Sequence, residues 1–216
     1  MRIYCIILLI AIGYKPKAQT YTRNVNETAE AFVKRIYNVS ELAHPVIETK
    51  EWDSVRKVII CFHLVSLPDD NDRIVGNILV PIKENIYKQI LIDSFYYEDG
   101  GMRNRSIETV FFANADRDKP RELFIQSRAQ AHSPRGADRD LNGYWYDTNV
   151  YDNPDMVNLQ SKLPMLLDLT TKFGDEFEGE IYEMTADGSD EKLVEKRKAK
   201  YKTVDAVRTA LKQMGY

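Results

Sequence analysis

The chain has 216 residues, and its 30 Lys+Arg stand against 33 Asp+Glu. That length is enough for one full hydrophobic core, since domains typically run to about 200 residues. The acidic balance excludes the basic stripe of a dedicated nucleic-acid binder and provides no attraction to anionic lipid.

At the N-terminus, Arg2 precedes the apolar run Ile6-Ile7-Leu8-Leu9-Ile10-Ala11-Ile12, and the polar stretch to Ala18-Gln19 follows it. This is the layout of a secretory signal peptide. The run is shorter than the roughly 20 apolar residues that cross a bilayer. The expectation is an exported protein, periplasmic or secreted. Residues 1–18 would be removed, 19–216 would form a single domain, and no stable membrane insertion would remain. Losing Arg2, Lys15 and Lys17 leaves 27 basic against 33 acidic residues, a net charge of −6. Cys5 is lost too, so Cys61 has no partner for an intramolecular disulfide. Stability must then come from core burial.

Helical spacing of Ala29, Phe32, Val33, Ile36, Tyr37 and Val39 predicts a helix from Glu27 to Leu42, with Asn26 as N-cap and Pro45 ending it. The pattern then turns to strands rich in β-branched and aromatic residues: Val58–Val65, Arg73–Val80, Lys88–Tyr97, Glu108–Ala113, Glu122–Ser127 and Gly143–Tyr151. Short polar connections predict an antiparallel meander. His63 shares a strand face with Cys61 and reads as a half-buried, hydrogen-bonded side chain. Leu163–Leu169 fits a short strand or helix, and Gly179–Met184 a further strand. The charged stretch Glu191–Lys198 has helical composition. Val204, Val207, Leu211 and Met214 form the stripe of a C-terminal helix capped by Thr203 and stopped by Gly215. The fold class expected is α+β: a mainly antiparallel sheet flanked by an N-terminal and a C-terminal helix.

Two acidic segments carry candidate metal chemistry. In Asn114-Ala115-Asp116-Arg117-Asp118-Lys119-Pro120-Arg121-Glu122, oxygen-bearing side chains fall at alternate positions between two strands. Ca2+ takes six to eight such oxygens. The ten residues Asn114–Leu123 resemble the acidic strand–loop–strand unit of FG-GAP-type repeats. That resemblance implies Asn114, Asp116, Asp118 and Glu122 as calcium ligands. Lys119 stands where the pattern has Gly, and the chain has one copy where those proteins repeat the unit into a propeller. The second segment, Asp138-Arg139-Asp140-Leu141-Asn142-Gly143, fits the first half of an EF-hand loop, with Asp138, Asp140 and Asn142 as ligands. Asn149 replaces the bidentate Glu of that pattern. Asn142-Gly143 also reads as a hairpin turn.

The chain has no G-x-S-x-G, H-E-x-x-H, P-loop or G-x-G-x-x-G, so no catalytic residue is assigned. Three readings follow. The first is an exported, non-enzymatic binding protein of the cell envelope, of inhibitor or immunity type, partnered by another envelope or secreted protein. The second is a secreted glycan hydrolase using Asp116, Asp118 or Glu122 as acid or base. The third is a structural envelope protein with no small ligand.

Overall fold

The computed structural model describes residues 19–66, 72–96, 102–116, 118, 120–131, 133, 139–184 and 191–216. Residues 1–18 and Asp138 lie outside them, and with them the expected signal peptide and the start of the EF-hand-like segment. The expected meander is present, divided into two five-stranded antiparallel sheets. The first holds β1 (Thr20–Thr22), β2 (His44–Thr49), β3 (Val58–Val65), β4 (Arg73–Lys83) and β5 (Ile86–Tyr96), in the order β1-β5-β4-β3-β2. The second holds β6 (Met102–Ala113), β7 (Glu122–Ala131), β8 (Arg139–Tyr151), β9 (Glu176–Met184) and β10 (Glu191–Arg197), in sequential order.

Strand alternation explains the layering. On β3, Val58, Ile60 and Phe62 share a core with Leu123 and Ile125 of β7, so the two sheets face each other. The intervening Ile59 and Cys61 instead pack beneath the short helix α1 (Ala29–Tyr37). On β7, Phe124 points away from the shared core, toward α2 (Leu167–Phe173) and α3 (Val204–Gln213). Strands buried on both faces read as continuous apolar runs, which is why Val58-Ile59-Ile60-Cys61-Phe62 shows no polar alternation. Segment 152–166 links the layers at one side: Leu163 N–H donates to Leu91 O at 2.9 Å, and Leu166 N–H to Val150 O at 2.8 Å. Among the described residues, no helix is long and apolar enough to cross a membrane.

Several elements differ from expectation. Thr28 caps α1, its hydroxyl accepting from Ala31 N–H at 3.2 Å, while Asn26 adopts a left-handed conformation. The charged stretch expected to be helical is β10, a fully exposed edge strand paired with β9. Charged residues suit such an edge because they discourage pairing with other chains. His63 is buried, stacked on Tyr37 with ring centroids 4.0 Å apart, but its Nδ1 has no hydrogen-bond partner among the described residues. Burial lowers its pKa from the ordinary value.

Gly143 lies opposite Gly179, where β8 and β9 approach closely. A Cβ at Gly143 would sit 2.1 Å from the Glu178 carbonyl oxygen and 2.7 Å from Gly179 Cα. Backbone cannot rotate aside as a side chain can. Gly143→Ala should therefore cost roughly 3 kcal/mol, the upper end of the overpacking range, read as a lower urea midpoint. A midpoint unchanged from wild type would show that the two strands are not so close in solution.

Candidate metal centre

The acidic β6–β7 loop closes against the end of β8. Register explains the convergence. Ala113, the last residue of β6, pairs with Glu122, the first of β7. Leu123 pairs with Tyr151, so the next antiparallel step sets Glu122 beside Asp152. The loop between Ala113 and Glu122 then folds Asp116 back onto both. One carboxylate oxygen from each of Asp116, Glu122 and Asp152 lies within 4.8 Å of the other two.

The supports of this cluster come from the chain around it. Ala115 N–H donates to Glu122 Oε2. Asp118 N–H donates to Asp116 Oδ1 at 2.8 Å, as in an Asx turn. Asn153 donates to Asp152 Oδ1 from both its backbone N–H and its Nδ2, at 2.7 and 3.0 Å. Asp152 N–H is fixed by Pro164 O at 2.9 Å.

Glu122 is the decisive residue. It is wholly buried, and its Oε1 has no hydrogen-bond partner among the described residues. A buried polar atom left unpaired costs about 1–3 kcal/mol, and more if charged. Burial pushes its carboxyl up to about 7; the Ala115 N–H opposes this, and Asp116 and Asp118 add to it. The Asp118 carboxyl is also raised, by desolvation first and then by Asp116 and Asp152. Repulsion among gathered carboxylates is what a bound cation relieves. The donor set is all oxygen, with no His or Cys, which suits a hard cation such as Ca2+. Asp116 also lines a groove of about 530 Å³ with Met165, Leu166 and Tyr216.

Asp116 and Glu122 converge. Asp118 borders them but is exposed, and Asn114 is exposed. Asp140 and Asn142 do not occupy a loop. Both are ladder residues of β8, opposite Tyr182 and Glu180, so the EF-hand and hairpin-turn readings of that segment give way to a strand interior. The third converging carboxylate, Asp152, lies 30 positions beyond Glu122; only the β7–β8 register reveals it.

None of the protein-family models, curated proteins or solved structures compared with this chain matches it.

Proposed function

We propose that this chain is an exported, non-enzymatic binding protein of the cell envelope, built around a structural calcium site formed by Asp116, Glu122 and Asp152. The observation that carries the calcium reading is Glu122 Oε1, buried, unpartnered and grouped with two further carboxylates. Export rests on the basic and apolar residues of the first eighteen positions. In this reading the ion ties the β6–β7 loop to the start of segment 152–166, and so fixes the side of the molecule where the two sheets are linked. The partner is another envelope or secreted protein, and the acidic surface steers a basic one toward it.

Burial weighs against Glu122 as the acid of the hydrolase reading, though not against Asp116 or Asp118. A Glu raised to about 7 has the value a general acid needs. That acid must also come within hydrogen-bond reach of the leaving oxygen, and Glu122 is wholly buried.

Equilibrium dialysis of the purified protein against Ca2+ tests the site. One ion per chain is expected, and Asp152→Asn should weaken its binding at least tenfold. Absence of saturable Ca2+ binding, or an Asp152→Asn protein that binds as wild type does, would overturn the proposal. Mg2+ should compete poorly, because it demands tighter octahedral geometry and gives up its waters reluctantly.

A further inference from the structure

We propose that the open end of the sandwich is a binding pocket for a small hydroxylated amine, of the amino-sugar class. The inference is independent of the calcium site, which lies at the loop end of β6 and β7.

The inward-facing positions of both sheets change character toward one end. On β7, Leu123 and Ile125 enter the shared core, and the next inward residue is Ser127. On β8, Tyr151 enters the core, followed inward by Asn149 and Asp147. On β6, Ile107 is followed by Arg105. On β5, Ile92 is the extra residue of a bulge opposite Gly76 and Asn77. The bulge shifts the alternation so that Asp93 reaches the core side, where Tyr151 OH donates to its Oδ2 at 3.0 Å. Four strands therefore turn polar side chains inward at the same level. Burying such groups is costly unless they are paired, and a core that needed only stability would continue apolar.

These groups hold one another in place around a cavity of about 350 Å³, within the size range of small-ligand sites. Arg105 is 9 % exposed and donates to Asp147, to Ser127 Oγ at 2.9 Å and to Tyr96 O at 3.0 Å. Lys162 Nζ donates to Asp93 Oδ1 at 2.8 Å. At the rim, Asp175 takes a left-handed backbone conformation, with φ of 56°, and its N–H donates to Asp147 Oδ1 at 3.2 Å. A strained non-glycine backbone of this kind persists only where its surroundings enforce it.

The charge inventory selects the ligand. Arg105 matches Asp147, and Lys162 matches Asp93. Asp175 forms no salt bridge of its own among the described residues; its carboxyl is hydrogen-bonded to Asp147, and Arg105 acts on both, so the three carboxylates Asp93, Asp147 and Asp175 share two cations. An ammonium group would complete that corner. Asn149 and Thr171 line the same cavity and make no side-chain hydrogen bond among the described residues, leaving them free for hydroxyls. The half-exposed ring of Tyr96 supplies an apolar wall.

The test is calorimetric titration of the purified protein with glucosamine, and with glucose as the amine-free control. Saturable glucosamine binding, at least tenfold tighter than glucose, is expected. Asp175→Asn should bring glucosamine down to the glucose level without lowering the melting temperature, because Asn accepts the left-handed backbone. Thr171→Val, at an exposed position, should weaken glucosamine several-fold. No saturable binding of glucosamine, or a preference over glucose that survives Asp175→Asn, would overturn the assignment.

Discussion

Glu122→Gln should raise the melting temperature of the calcium-free protein and abolish its response to calcium. In the wild-type protein the Glu122 carboxyl is desolvated, faces other carboxylates and leaves Oε1 unpaired. Gln keeps an oxygen to accept from Ala115 N–H. It replaces the unpaired Oε1 with an amide donor directed at Asp116 and Asp152. A charge penalty disappears and a hydrogen bond is gained, so the empty protein becomes more stable. The wild-type protein should gain about 2.7 kcal/mol when calcium stands at 100 times its dissociation constant. For a domain of this size that corresponds to roughly 5–10 °C, at about 2–4 °C per kcal/mol. The variant should show no such gain. Paired thermal melts in EDTA and in excess calcium measure both effects. A Glu122→Gln protein that melts lower in EDTA would mean that the carboxylate serves the empty fold, and the calcium reading would fall.

The second large effect is at Phe124. Its ring stacks on Phe111 with centroids 4.9 Å apart and lies 6.4 Å from Phe173 of α2; Phe173 in turn meets Tyr201 edge-on at 5.0 Å. Phe124 is wholly buried, and the cluster around it includes Val207 and Leu211 of α3. Phe124→Ala should cost about 3–5 kcal/mol through lost burial and the cavity left behind. Total stabilities of about 5–15 kcal/mol make that a large fraction. Urea denaturation should show the lower midpoint, and amide exchange should show α2 and α3 losing protection before the strands. A loss below about 1 kcal/mol would mean that the helices do not rest on this face as described. Leu193→Ala, on exposed β10, is the matched control and should stay within about 0.5 kcal/mol of wild type.

Much of the β-rich character was legible because strand type is written in local composition. The run from Val58 and the aromatic-rich Gly143–Tyr151 segment both hold as strands. The C-terminal helix, with its Thr203 cap, also follows from spacing alone. What composition cannot supply is which strands adjoin. The division into two facing sheets depends on how far the meander runs before it breaks, and β1 and β2 carry too few apolar residues to announce themselves. Glu191–Arg197 reads as a helix because Glu, Lys and Arg are good helix formers; tertiary pairing with β9 overrides that preference. The acidic site was half legible. Asp116 and Glu122 are close in sequence, so a loop motif finds them. Asp152 joins them through cross-strand register, and the polar end of the sandwich depends on a bulge at Ile92 that no periodicity reveals.

Each sheet is drawn from one unbroken half of the chain, β1 to β5 and then β6 to β10. Every strand pair but β1–β5 joins neighbours in sequence. Most ladders can therefore close as their own strands are made, at a small entropic cost; the exceptions are β8–β9, joined through residues 152–175, and β1–β5, which closes around β2 to β4. For a chain that emerges from one end, at the ribosome or through a translocation pore, the first sheet can be complete before the second has begun. Its inward face, carrying Phe62, Ile78 and Ile90, then stands bare until residues beyond 102 arrive. The interval between the two halves is when this protein is most exposed to aggregation, and when a holding chaperone would matter most.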